Sequence, residues 1–191
     1  MKQADRRWDW DIILENGDFK KTDVILETGA LFGEFSVELS ERIKEIVVTD
    51  SYDWSERRFV EHDGINMVKE WENNLSKVKN IKLEKCNMEV LPYKDNSFDK
   101  VVCISAIEHV DKDRQAVEEM MRVLKPGGLL LLTTEYNQNM ANKVVDIDGT
   151  FYRIYNRDEI DTLTNGFEVA AIVPQASHTD TYTTIFIKIK K

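Results

Sequence analysis

Five short apolar runs punctuate the chain: VILET (24–28), IVVTD (46–50), IKLEKC (81–86), FDKVVCIS (98–105) and LLLLTTE (129–135). Several are continuous rather than alternating, the pattern of strands buried on both faces of a parallel sheet. Segments with helical period lie between most of them. In 34–44, Phe35, Leu39 and Ile43 fall on one face. In 113–124, Ala116, Val117, Met120, Met121 and Leu124 form a stripe, with Asp111 or Asp113 placed to cap it. Ile65, Val68, Trp71 and Leu75 make a looser stripe over 65–75. Such alternation predicts an α/β, doubly wound sheet with right-handed crossovers and a ligand site beyond the carboxyl ends of the strands.

The pattern changes after residue 135. Residues 136–155 read as a polar connection too long for an ordinary link, so 137–155 is the lid candidate. Asn156 with Glu159 three residues on makes a capping-box signature for a helix. FEVAAIVP (167–174) and the alternating TYTTIFIKIK (181–190) then predict an antiparallel pair closing the sheet edge, with Lys188, Lys190 and Lys191 guarding it. The expected fold is a mostly parallel, seven-stranded sheet with an antiparallel C-terminal strand.

Composition narrows the class. The 191 residues, 42% hydrophobic and 32% charged, suit a single domain over 1–191: a short N-terminal segment (1–22), a core (23–135) and the lid and hairpin (136–191). A formal charge of −9 disfavours nucleic acid as the partner, since clustered Lys and Arg are what bind a phosphate backbone. No apolar run is long enough for a membrane span, and MKQADRRWDWD has no signal-like stretch, so a cytoplasmic location is expected. Cys86 and Cys103 sit in strand runs without CxxC spacing, and the three histidines lack ligand spacing; no metal is expected.

The segment Glu27-Thr28-Gly29-Ala30-Leu31-Phe32-Gly33 follows the first strand and precedes a helix. Gly29 permits a tight turn and close ligand approach, and Gly33 close helix packing. A dinucleotide pyrophosphate would need the backbone to come close at position 31 too, where Leu31 carries a side chain; a ligand without phosphates tolerates it better. Asp50 ends the second strand, where a carboxylate can accept from ribose hydroxyls. Each feature alone is also what an ordinary turn or cap would give.

Further along come NMEVLPYKDNSFDKVV (87–102), ISAIEHV (104–110) and EEMMRVLKPGGLLLLTT (118–134). In this order, behind the glycine loop and Asp50, they resemble the class I S-adenosylmethionine-dependent methyltransferases, in particular the small-molecule group. The resemblance covers about residues 23 to 135 and implies a Rossmann-like methyltransferase fold. It implies S-adenosyl-L-methionine as cofactor and S-adenosyl-L-homocysteine as product. It implies that Glu27, Gly29, Ala30 and Gly33 cradle the methionine side, Glu27 near the amino group. Asp50 would hold the ribose, and Ser51 and Tyr52 would border the adenine. Asn87 and Met88 would meet the adenine ring, Asn87 standing where the family commonly has Asp. Ser105 and Ala106 would lie beside the sulfonium.

An in-line displacement on an activated methyl needs positioning more than a nucleophile, although a hydroxyl acceptor gains from a base. His109 is the candidate base; the alternative is a solvent-facing histidine beside Glu108 and Asp111. Glu108 and Tyr136 are further candidates. Tyr152, Arg153 and Tyr155 either face the acceptor or pack the lid down. The short N-terminal segment, with Trp8 and Trp10, implies an open site completed by a bulky acceptor, a second copy in a homodimer or a partner subunit. A small-molecule acceptor such as a sugar, glycan precursor or metabolite is the leading expectation. The alternatives are a cofactor-binding regulatory or scaffold subunit without turnover, and a dinucleotide-dependent reductase.

Overall fold

The computed structural model describes residues 7–51, 67–139, 143–147, 150–175 and 183–191. Along the chain run α1 (Arg7–Asn16), β1 (Val24–Thr28), α2 (Glu34–Ser40) and β2 (Glu45–Asp50), followed by α3 (Met67–Leu75), β3 (Ile81–Lys85) and β4 (Phe98–Ile104). A 3-10 turn (Ile107–His109) precedes α4 (Asp113–Val123) and β5 (Leu124–Tyr136). The chain ends with β6 (Lys143–Ile147), β7 (Thr150–Ile154), α5 (Arg157–Thr164), β8 (Glu168–Pro174) and β9 (Thr183–Lys190). The main sheet has seven strands in the order β3-β2-β1-β4-β5-β9-β8. Strands β1 to β5 are mutually parallel, and β9 is antiparallel to both neighbours.

Two apolar layers sandwich this sheet. On one face α4 and α5 contribute Ala116, Val117, Met120, Ile160 and Leu163, against Leu26, Val101, Leu130 and Leu132. On the other, α1, α2 and α3 contribute Ile13, Phe35, Leu39 and Leu75, against Ile25, Val102, Leu131 and Phe186. Successive strand residues enter opposite layers, which is why the runs read as continuously apolar. Among the described residues no helix is long and apolar enough to cross a membrane.

Several expectations are corrected. Strand β9 is not an edge: it is inserted between β5 and β8, with Ile185, Ile187 and Ile189 in one layer and Phe186 in the other. Its lysines therefore tie elements together. Lys188 donates to the Asn16 carbonyl at 2.8 Å, and Lys191 reaches the Leu124 carbonyl at 2.7 Å. Strand β5 starts at Leu124 because Lys125-Pro126-Gly127-Gly128 continues the strand instead of forming a free turn. Gly127 takes a φ of 78° and donates to the Lys191 carbonyl at 2.7 Å. A Cβ on Gly128 would stand 2.8 Å from the Asp99 carbonyl oxygen. The cap of α4 is Lys112, without a side-chain bond; Asp113 lies inside the first turn. The capping box of α5 is present, with the Glu159 N–H donating to Asn156 Oδ1 at 3.0 Å and the Asn156 N–H to Glu159 Oε2 at 2.8 Å.

Two elements had no clear signal in the pattern. The connection after β5 contains an antiparallel hairpin, β6 with β7, forming its own two-stranded sheet. The N-terminal segment contains α1, whose WDWDII stretch mixes charge and aromatic residues without a clean stripe.

The motif around Arg122 is a clamp. Its guanidinium donates to the carbonyls of Leu91 (3.0 Å) and Tyr93 (2.7 Å) and to the carboxylates of Glu119 and Asp95. Glu119 in turn accepts from the Leu91 N–H at 2.8 Å. The loop between β3 and β4 is thereby fixed to α4. Arg122→Met should leave those carbonyls and Glu119 short of a donor and destabilise the fold by about 2 kcal/mol, read as a lower midpoint at unchanged slope in urea unfolding.

Candidate functional site

Strands β1, β2 and β4 end side by side, with Thr28 in register with Thr49 and Cys103. The chain leaves β1 toward β2 on one side, while β4 and β5 extend the sheet on the other. That reversal of order opens a crevice beyond the carboxyl ends.

The loop after β1 lines it. Gly29, Leu31 and Gly33 all have positive φ, at 66°, 51° and 67°. Leu31 thus adopts the left-handed conformation that glycine takes freely, at a cost of roughly 1–2 kcal/mol. The loop is held in compensation: the Ala30 N–H donates to the Thr49 carbonyl at 3.0 Å, and the Leu31 N–H to Asp50 Oδ2 at 2.9 Å. Gly29 is sterically required, since a Cβ there would stand 2.4 Å from Ala106 Cβ and 2.9 Å from Met88 Cε. The same contacts bring the loop, Met88 and Ala106 together. A Cβ on Gly33 would meet Leu75 Cδ1 at 2.7 Å, so this glycine lets α2 approach α3.

A shallow pocket open to solvent lies at this end of β1 and β4. Its walls include Glu27, Gly29, Leu31, Phe35, Ile104 and Trp10. Leu31 lines the space. Trp10 was not expected here; it packs edge-on to Phe35 with ring centroids 5.9 Å apart. Helix α1 therefore walls a side that the sequence suggested was open. The two tryptophans in a charged segment were the only signal for it.

Glu27 is buried, and Ser36 donates its hydroxyl to Glu27 Oε2. Burial pushes the carboxyl up from its ordinary 4.5 to about 7, with the Ser36 bond opposing and the nearby Asp50 charge assisting. Asp50 is buried at the tip of β2, close enough for its charge to act on Glu27.

The remaining expected residues fall into groups. Met88 and Ser51 are half-buried near the β2 and β3 ends, while Tyr52 lies outside the described residues, as do His62 and His178. Asn87 is exposed, and its Oδ1 accepts the Glu89 N–H at 2.8 Å, an Asx turn that engages the oxygen expected to face a base. Ser105 ends β4 at a φ of 44°, its N–H bonded to the Thr133 carbonyl at 3.0 Å. Exposed His109 lies against the hairpin, its Nδ1 3.1 Å from the Phe151 carbonyl oxygen and its ring 5.4 Å from that of Tyr152. Glu108 is buried and accepts the Thr134 hydroxyl at 2.9 Å.

Of the three lid residues, Tyr155 is a core residue: 1% exposed, its hydroxyl donating to Asp113 Oδ2 at 2.9 Å. Arg153 binds the same carboxylate and lies over the Phe151 and Tyr155 rings. These two pack the hairpin onto α4, leaving half-buried Tyr152 beside His109.

Comparison with known proteins adds three findings. The family model described as "Methyltransferase domain" matches residues 26–132. The ubiquinone/menaquinone biosynthesis C-methyltransferase of Pasteurella multocida is 29% identical over 140 residues, covering 72% of this chain and 47% of that protein. The chain thus spans less than half the length of this relative. Among solved structures, the 1,6-didemethyltoxoflavin-N1-methyltransferase of Burkholderia thailandensis, with bound 1,6-didemethyltoxoflavin and S-adenosylhomocysteine, superposes with a TM-score of 0.75 at 15% identity, over 100% of this chain and 79% of that one. The YcgJ protein of Bacillus subtilis gives 0.73 at 16%, over 97% and 98%.

Two outcomes follow from the geometry. Since the folded-state value of Glu27 exceeds that of the unfolded chain, its contribution to stability is full below about 4.5 and is lost as pH rises through about 7. Glu27→Gln should therefore be more stable than the parent above pH 7, by on the order of 1–3 kcal/mol, and lose that advantage near pH 4.5, as measured by urea unfolding across pH. Leu31→Gly should leave stability within about 1 kcal/mol of the parent, because relieved backbone strain is offset by the greater freedom of the unfolded glycine.

Proposed function

Because the chain belongs to the methyltransferase-domain family, we propose that it transfers a methyl group from S-adenosylmethionine to a small-molecule acceptor, with S-adenosylhomocysteine as product. The observation that supports this reading is that Glu27 and the loop after β1 line one pocket at the strand-order reversal, with Asp50 accepting from the Leu31 N–H of that loop.

The donor set suits a nucleoside with an amino-acid tail. Buried Glu27 gains a counter-charge when it meets an ammonium, which favours its ionised form. Asp50, at the end of β2, would meet the ribose hydroxyls while it braces the Leu31 N–H. Met88 and Ser51 border the adenine, with Asn87 contributing its amide, and Ser105 and Ala106 border the methyl end. Bound in this way, S-adenosylmethionine supplies a methyl group already activated by its sulfonium. The protein's part is to orient the acceptor and exclude water, an effect worth up to about 7–11 kcal/mol for well-aligned groups.

We assign His109 and Tyr152 to the acceptor side. A proton on His109 Nδ1 shared with the Phe151 carbonyl would leave Nε2 free to meet the acceptor. The acceptor class is a small molecule: a sugar or glycan precursor, or a metabolite such as an intermediate of the ubiquinone/menaquinone biosynthesis named for the Pasteurella multocida relative.

Calorimetry provides the test. S-adenosylhomocysteine should bind and NADH should not, and the ligand should raise stability by about 2.7 kcal/mol at a hundredfold excess over its Kd. Binding of NADH alone would overturn the reading. Asp50→Ala should weaken cofactor binding at least tenfold, since a charge-assisted hydrogen bond is worth about 1.5–3 kcal/mol. Binding near pH 7 should also release protons from Glu27, seen as a heat that depends on the buffer and vanishes in Glu27→Gln.

A further inference from the structure

Asp9 takes no part in the roles assigned above. It stands in the first turn of α1, 5% exposed, and the Ser105 hydroxyl donates to its Oδ2 at 3.4 Å. This is long for an O–H···O bond, a separation that commonly tightens when a substrate seats.

The surroundings make the contact more than a surface pairing. Ser105 is locked in a left-handed conformation at the tip of β4, its N–H shared between the carbonyl and the hydroxyl of Thr133 at 3.0 and 3.2 Å. Such backbone strain persists only where neighbouring structure enforces it. Trp10, adjacent to Asp9, and Ile104, adjacent to Ser105, both line the pocket that contains Glu27. Among the described contacts of the charged groups near α1, Arg7 on the same helix pairs with Asp11 and Glu38, Lys188 donates to the Asn16 carbonyl, and Glu27 accepts from Ser36. Glu135, on β5, is half-buried.

We propose that Asp9 is a positioning residue which, through Ser105, selects acceptors that arrive carrying an ionisable proton and takes up that proton during transfer. The inference rests on the methyl-transfer reading. With its own proton directed to Asp9, the Ser105 oxygen presents lone pairs to an acceptor O–H or N–H. In the reacting step the acceptor's O–H or N–H bond breaks, and its electron pair would form the bond to the methyl carbon as the S–CH3 pair stays on the sulfur of the leaving S-adenosylhomocysteine. The proton passes to Ser105 Oγ as the Ser105 proton passes to Asp9, leaving an intact serine and a neutral carboxylic acid. The acceptor class is thereby a phenol, alcohol or protonated amine. An atom without an acidic proton gains nothing from the dyad.

The probe is 4-nitrophenol, titrated by absorbance into the protein saturated with S-adenosylhomocysteine, at pH values on either side of the phenol's own ionisation. The parent should bind the neutral phenol at least tenfold more tightly than the phenolate, because Asp9 accepts through Ser105 and repels an anion. Asp9→Asn and Ser105→Ala should each reduce that preference at least fivefold. The double variant should be no worse than either single, and Asp9→Glu should restore part of it. An undiminished preference in Asp9→Asn, additive losses, or no binding of the phenol by the parent would overturn the proposal. S-adenosylhomocysteine calorimetry on every variant separates the two levels. If the parent does not bind it, the methyl-transfer reading falls; if all variants bind it and the preference ignores Asp9, only the dyad falls.

Discussion

Strands β1 and β4 lie side by side, yet the chain runs from β1 to β2 on one side and from β4 to β5 on the other. Among the described residues no crossover covers the space above their carboxyl ends, and the backbone must turn sharply there to reach α2 and the 3-10 turn. The three left-handed residues of the 29–33 loop and the left-handed Ser105 are the local form of that constraint. What holds them is the Asp50 carboxylate on the Leu31 N–H and the Thr133 oxygens on the Ser105 N–H. The site is therefore built from strained turns braced by the strands next to them.

The electrostatics of the crevice follow from the same arrangement. Glu27 cannot be well solvated at its depth, so its carboxyl shifts toward the neutral form, and Asp50 reinforces the shift. Such a pair destabilises the free protein above neutral pH; in the proposed reading a cationic ligand offsets that cost. By contrast, the buried Asp23–Lys100 pair at the amino ends of β1 and β4 neutralises itself and ties the strands where no ligand is expected.

The parts of the site differ in how legible they were. The glycine loop and Asp50 could be read because backbone conformation and strand ends impose residue types at fixed places. The Arg-Val-Leu-Lys-Pro-Gly-Gly stretch was read as a family mark, and its physical content is mechanical. Arg122 clamps the 91–93 backbone, and Gly128 avoids the Asp99 carbonyl. Trp10 carried no periodic signal. It reaches the pocket because α1 packs on the same face as α2, some distance along the chain. Tyr155 and Arg153 looked like contacts for an acceptor because aromatic and cationic side chains in a polar segment suit that role. Asp113 decides otherwise by drawing both onto α4.

The sequence by itself determined the doubly wound class, the positions of β1 to β5 and the glycine loop with its acidic strand end. Those features depend on local periodicity and on conformations few residues tolerate. Tertiary structure alone decided that β9 lies inside the sheet, that residues 143–147 pair with 150–154 and that α1 walls the pocket. Each of these depends on which distant surfaces meet, and burial of a residue against a remote partner leaves no mark in its own neighbourhood of the chain.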